Sequence, residues 1–263
     1  MINYFQHQGL KFKYGKILLP KWCKRIKIDI GLAFNAPQTQ IWLENQSDLI
    51  VFGFEPVKEN YAKIIKGQGK LPKIYSSYNF KNFKFYKLDP RLIGKRAFIF
   101  PYSLGNVDRP LKKKIFITAN DKGCSSLYKP KWPRTIKTQT TTVLSLDYFV
   151  DKLTLDNELG FIEHIKSDCQ GSDFDILKKG RETLKKTGVY TIECENDQYF
   201  NTSNSFKEIS NFFSERNFFR YNLFNKILNY PNLNNFEVGD PTFYNNKLVK
   251  YFKRNQVNIY QKG

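Results

Sequence analysis

The 263-residue sequence is short of metal ligands. His7 and His164 are its only two histidines, and its four cysteines, Cys23, Cys124, Cys169 and Cys194, form no C-x-x-C pair. A structural zinc site therefore has almost nothing to draw on. No run approaches the roughly 20 apolar residues that a membrane span needs. Met1–Gly15 also lacks the basic-then-apolar pattern of a secretion signal. These absences lead to the expectation of a reduced, cytoplasmic protein without a structural metal. Internal repeats and low-complexity linkers are missing too, so one domain with a central excursion is expected.

Acidic residues are in deficit. Lysine and arginine number 43 against 24 aspartates and glutamates, a formal net charge of +19. That excess suits an anionic partner, nucleic acid or an anionic surface among them. A Lys-, Asn-, Ile-, Phe- and Tyr-rich composition of the kind AT-rich codons dictate produces the same charge without a partner. Weak, salt-sensitive nucleic-acid binding without sequence preference is the expectation. Hydrophobic residues at 41% and aromatics at 16% are ample for a globular core.

The hydrophobic pattern predicts an α/β fold. Residues 26–30 alternate and are β-branched, and Pro37 is suited to the first turn of a following helix. Residues 49–54 form a nearly continuous apolar run, as in a parallel strand covered on both faces. A helix over 58–66 follows. Residues 67–95 read as a loop with one or two short strands, and 96–100 as a third buried strand. Residues 115–118 and 139–144 read as antiparallel excursions around a loop with Gly123, Ser125, Ser126 and Pro130. A short helix is expected over 146–153, a strand over 161–166, one helix over 174–186 and a strand over 189–192. An amphipathic helix over 205–216 and two closing antiparallel strands, 218–223 and 240–244, complete the order. The expected domain boundaries are an extension over 1–24, a Rossmann-like domain over 25–263 and an antiparallel insert over 107–145.

Ligands of open α/β sheets sit beyond the carboxyl ends of the strands, near the topological switch point. Asp29, Glu55, Asp168 and Glu193 are all expected there. Gly31 lets the first strand–helix turn approach a ligand. Glu55, about 20 residues on, is placed at an exposed strand end to accept from both ribose hydroxyls. The pyrophosphate motif G-x-G-x-x-G is absent, since Leu32, Ala33, Phe34 and Asn35 follow Gly31. That favours a nucleoside without phosphates. Turn and helix-cap roles for Gly31 and Glu55 remain the structural alternative.

Asp29-Ile-Gly31, Phe54-Glu55-Pro56, Ser145-Leu-Asp147 and the block Ile165–Gly180 occur in the order of, and resemble, the FkbM family of S-adenosylmethionine-dependent methyltransferases. The resemblance spans roughly residues 25 to 245. It implies a Rossmann-like class I methyltransferase sheet, mostly parallel, with a closing antiparallel strand pair and a central β excursion. It further implies S-adenosylmethionine as cofactor and a hydroxyl acceptor on a sugar, glycan or small metabolite. Asp29, Gly31, Asn35, Glu55 and Ser103 form the candidate cofactor-binding set. Asp168 is the first candidate base, with Glu193 as the second catalytic candidate and His164 behind it. Gln170 stands where the family usually has glutamate. Mg²⁺ held by Asp168, Asp173 and Glu193 is chemically open, but capping and solvation explain the same acids.

Three alternatives remain. An RNA-directed methyltransferase would use the lysine–aromatic alternation of Tyr78–Lys87. A degenerate module would bind the cofactor without turnover, consistent with Gln170 and a glycine-poor loop. A nicotinamide oxidoreductase lacks its fingerprint.

Overall fold

The computed structural model describes residues 5, 8–69, 86–119, 121–131, 134–155, 160–195, 199, 201–202, 204–221, 228–230 and 236–248. In chain order the first elements are β1 (Lys11–Lys13), β2 (Lys16–Leu18), β3 (Arg25–Ile30), α1 (Pro37–Asn45), β4 (Leu49–Phe54) and α2 (Lys58–Ile65). Then come β5 (Ala97–Phe100), β6 (Ser103–Leu104), β7 (Leu111–Thr118), β8 (Thr135–Leu144), α3 (Leu146–Val150) and β9 (Ile162–Ser167). The last third holds α4 (Asp173–Lys178), α5 (Arg181–Lys185), β10 (Thr187–Ile192), β11 (Cys194–Glu195) and α6 (Phe206–Ser214). Strands β12 (Phe218–Tyr221), β13 (Leu228–Tyr230), β14 (Phe236–Gly239) and β15 (Thr242–Asn245) follow.

Seven strands form the central sheet in the order β12-β15-β10-β9-β3-β4-β5. Strands β10, β9, β3, β4 and β5 are mutually parallel, and β15 and β12 close the edge antiparallel. This is the Rossmann-like, mostly parallel sheet expected from the residue pattern. Strand β4 shows why it is covered on both sides: all six of its residues are buried. Because successive side chains alternate, Ile50, Phe52 and Phe54 join one core cluster, while Leu49 and Val51 join another with Trp42, Leu43 and Ile64. Phe52, Phe54 and Phe100 meet Phe149 from α3 at centroid separations of 4.9–5.7 Å, mostly edge to face.

The expected antiparallel excursion is present as β7 and β8, with Ile115 opposite Gln139. Strand β6 adds to β8 in parallel, giving a separate three-stranded sheet. A further small sheet, β11-β14-β13, has no counterpart in the sequence reading. The alternation Tyr78–Lys87 lies outside the described residues up to residue 85, and so does the end of the expected strand 218–223. Within the expected loop 67–95, Pro90–Leu92 form a 3-10 turn capped by the Asp89 side chain.

The single helix expected over 174–186 is two helices, α4 and α5, interrupted at Gly180. A Cβ there would come within 2.8 Å of Leu146 Cδ2, so the break admits α3 against the chain. In exchange, the Asp147 carboxylate caps α5 from outside. It accepts from the Thr183 N–H at 2.8 Å, the Thr183 hydroxyl at 2.6 Å and the Glu182 N–H at 3.3 Å. Helix α3 also ends earlier than expected, at Val150, where the following chain meets the N-terminal hairpin through an Ile17 N–H to Lys152 carbonyl bond. Replacing Asp147 by alanine is expected to cost about 1–2 kcal/mol, the usual effect of losing a helix cap. Urea denaturation of Asp147→Ala measures it, and no loss would mean that α5 does not depend on this cap.

Candidate active site

Where β3 and β9 run side by side, their following turns leave in different directions. Gly31 and Asp168 begin those turns. The Gly31 N–H donates to the Phe54 carbonyl at 3.0 Å, and the Asp168 N–H donates to the Ile30 carbonyl at 2.9 Å. Gly31 has φ +84, and a Cβ at this position would overlap the Asp168 carbonyl oxygen. Both the left-handed backbone and the close approach therefore require glycine here. The loop continues with Ala33 at φ +54 and Ala36 at φ +48. Alanine in that region costs roughly 1–2 kcal/mol, so the loop keeps a glycine-like path with few glycines.

The diverging turns open a cavity of about 270 Å³ at the carboxyl ends of the parallel strands. Gly31, Glu55, Ser103 and Asp168 line it, with Phe34 and Tyr102 among its aromatic walls. The loop between β7 and β8 supplies Asp121 to Leu127 on another side. The central excursion is thus a wall of the cavity. That role was not legible in the sequence, because nothing local links Cys124 or Ser126 to Gly31.

Glu55 is 3% exposed, not at an exposed strand end as the sequence suggested. Its Oε1 accepts from the Val57 N–H at 2.9 Å, at the start of α2. Burial pushes its carboxyl up to about 8, against bonds from Val57, Asn60 and Ala33 that favour ionisation.

Asp168 also lines the cavity, with a side-chain exposure of 34%. Burial opposes its ionisation, yet Lys166 at 2.9 Å, Gln170 at 3.1 Å and the Glu193 carboxyl hold it below the usual carboxylate range. Lys166 is buried too, but Asp168, Asp29 and Asp240 outweigh that and raise its ammonium above the ordinary value. Gln170 spans two acids. Its Nε2 donates to Asp168 and to both Glu193 oxygens, at 2.9 and 2.8 Å, while its Oε1 accepts from the Tyr199 hydroxyl at 2.9 Å. A glutamate here would meet two carboxylates instead of donating to them. Burial, then Asp168, raises Glu193 well above the ordinary carboxylate range.

The other expected residues stand further off. Asp29 is buried beneath the cavity, where Oδ2 accepts from the Thr39 hydroxyl at 2.6 Å and Oδ1 has no protein partner. Asn35 turns away to donate to the Tyr86 carbonyl at 2.7 Å. Glu193 sits behind Gln170 and does not line the cavity. His164 is packed in the sheet, 2.9 Å from Thr191 Oγ1 and 5.0 Å from the Trp42 ring, and burial lowers it well below its ordinary value. Asp173 accepts from the Ser167 hydroxyl and from the Cys169 N–H at 3.0 Å, and burial pushes it up to about 7. Among the described residues no group of three or more His, Cys, Asp or Glu side chains is placed to hold a metal. Lys166, Tyr199 and Ser172 were missed. Only the block around Asp168 hinted at Lys166 and Ser172, and nothing local hinted at Tyr199.

A family model described as the methyltransferase FkbM domain matches residues 34–220. That span includes Glu55, Ser103, Asp168 and Glu193 and begins just after Gly31. Among curated proteins none matches. Among solved structures, the precorrin-6y C5,15-methyltransferase of Geobacter metallireducens GS-15 is similar over 84% of this chain and 82% of its own, at 10% identity and a TM-score of 0.38.

The raised Glu55 carboxyl has a consequence for stability. The protonated form favours the fold, so this contribution is complete below about pH 4.5 and is lost as pH rises through about 8. Glu55→Gln keeps an acceptor for Val57 and removes the titration. The variant is expected to match wild type near about pH 5 and to exceed it above pH 8 by on the order of a few kcal/mol. Urea midpoints of both proteins across that range check it. A difference that stays constant with pH would show that Glu55 does not titrate there.

Proposed function

The chain belongs to the methyltransferase FkbM domain family, and from that premise we propose that it transfers the methyl group of S-adenosylmethionine to a hydroxyl oxygen. The observation that carries this reading is the pair Glu55 and Asp168, which follow the two strands flanking β3 and both line the switch-point cavity. Ionised Asp168 suits a ligand that is cationic at sulfur and at its amino group, and the neutral Glu55 carboxyl suits that ligand's ribose diol. The Glu55 carboxyl would hold the diol, as buried acids at the end of a second strand do in nucleotide-binding sheets. Ser172 lines the same cavity, and its buried hydroxyl has no protein partner, so it is suited to donate to the cofactor's carboxylate. Asp29, with one orphaned oxygen, would support the methionine end from below. The residues present therefore fit the cofactor.

When bound, S-adenosylmethionine supplies a methyl group on a good leaving group, so the protein's main task is in-line placement of the acceptor. Asp168 is ionised and reachable from the cavity. In this reading it accepts the hydrogen bond of the acceptor hydroxyl and receives its proton as the new oxygen–carbon bond forms. Lys166 keeps Asp168 charged between turnovers. Gln170 holds the carboxyl in place and separates it from Glu193, which gives Glu193 a supporting role. The acceptor we take to be a hydroxyl on a sugar, glycan or small metabolite, as the family resemblance implies.

Two measurements test the reading. Glu55→Gln is expected to weaken S-adenosylhomocysteine binding by about 0.5–1.5 kcal/mol, the net range for a hydrogen bond between neutral groups. Calorimetry checks this, and NAD bound more tightly than the adenosyl ligand would sink the assignment. Asp168→Asn preserves shape and removes charge. Once an acceptor is found by mass-spectrometric screening, its methylation is expected to fall about 10²–10⁴-fold with cofactor affinity nearly unchanged. Full turnover in Asp168→Asn would place the base elsewhere, and cofactor binding without any acceptor would favour the degenerate reading.

A further inference from the structure

The cavity uses little of the protein's positive charge, and the distribution of that charge along the chain is uneven. The first acidic residue in the sequence is Asp29, and seven basic residues precede it. Three of the seven are turned to partners. Lys16 pairs with Asp151, Arg25 with Asp48 and Glu163, and Lys27 with Glu163. Lys11, Lys13, Lys21 and Lys24 are exposed.

These lysines surround exposed apolar side chains. In the β1–β2 hairpin, Phe12 and Ile17 face the core, while Lys11 stands opposite Leu18 on the outer face. Leu18 is 36% exposed, and Trp22, four residues on, is 44% exposed. The tip is Tyr14-Gly15, with φ +50 and +75, and Tyr14 is 92% exposed. Two-residue hairpin turns of this kind favour Asn-Gly or Asp-Gly, because both positions need a left-handed backbone. A bulky aromatic at the first position is strained, and such strain concentrates at functional sites. Here it holds a tyrosine ring out in solvent, with Lys13 Nζ 5.2 Å from its centroid.

We propose that the N-terminal hairpin and the turn that follows it dock the protein on an anionic lipid bilayer. Tyrosine and tryptophan settle at the headgroup level, with an apolar body and a polar edge. An exposed leucine gains by entering the boundary. Lysines add attraction to anionic headgroups, each contributing on its own. The patch contains no free arginine fork of the kind that reads bases and phosphates in nucleic acids, since Arg25 is bound inward. It is a convex tip rather than a groove that tracks a strand. The Trp22 turn lies at the amino ends of the parallel strands and the cavity at their carboxyl ends, so docking leaves the cavity mouth uncovered.

The test is co-sedimentation of the full chain with vesicles of phosphatidylcholine alone and of phosphatidylcholine containing about 30% phosphatidylserine. Binding is expected to the anionic vesicles only and to weaken with added salt. The double variant Lys11→Gln/Lys13→Gln is expected to lower the partition coefficient by roughly tenfold or more. Tyr14→Asn is the sharper variant, because asparagine tolerates the left-handed turn. It should raise the melting temperature and yet reduce vesicle binding, a combination that a merely structural tyrosine would not give. S-adenosylhomocysteine binding, measured on the same samples, is expected to be unchanged in all variants. Equal sedimentation with neutral vesicles, or none with either, would overturn the proposal. So would retention of a single-stranded RNA oligonucleotide that Lys11→Gln/Lys13→Gln abolishes while vesicles stay unbound.

Discussion

The close passage of Gly31 against the Asp168 carbonyl is the contact on which the rest of the site depends. It occurs where two adjacent parallel strands send their chains to opposite sides, and only a residue without a Cβ permits it. The same contact brings the Asp168 carboxylate to the cavity, which Glu55, at the end of the next strand, also lines. A methyl group at position 31 would push β3 and β9 apart at the point where the cavity opens. The alanines at 33 and 36 in left-handed conformations show how strictly the backbone path is kept.

Around that contact the electrostatics are those of a single charge kept among neutralised neighbours. Asp168 stays ionised because Lys166 and Gln170 outweigh its burial. Glu193 is raised well above the ordinary range, Asp173 is raised to about 7, and Glu195, buried with neither oxygen partnered, is raised to about 9. Several carboxylates at strand ends therefore do not add up to a strongly negative cleft. Burial removes charge from most of them. Gln170 fits this economy: an amide between Asp168 and Glu193 supplies donors where a further acid would add repulsion. Its departure from the usual glutamate is thus compatible with an organised site.

Several features were legible because their causes are local. Strand β4 reads as covered on both faces because its apolar side chains, interrupted only by Gly53, can be buried only that way. Pro37 at the start of α1 and Ser205 at the cap of α6 obey the same local rules. The break at Gly180 was missed because its cause is the arrival of Leu146, a residue distant in sequence. The depth of Glu55 was misjudged for the same reason: a strand end is exposed only if nothing folds over it, and here the loop after β3 and the β7–β8 excursion do.

The sequence alone determined the alternation of strands and helices, the absence of a pyrophosphate turn and the identity of the acids near the strand ends. These follow from side-chain size, polarity and spacing along the chain. Only the tertiary structure decided which acids share a cavity, which of them is charged, and what covers it. Those properties depend on distances between segments and on the water each carboxyl loses when the segments meet. The excess of lysine was plain from composition, but its concentration beside exposed Tyr14, Leu18 and Trp22 emerged only after folding had paired Lys16, Arg25 and Lys27 with acidic partners.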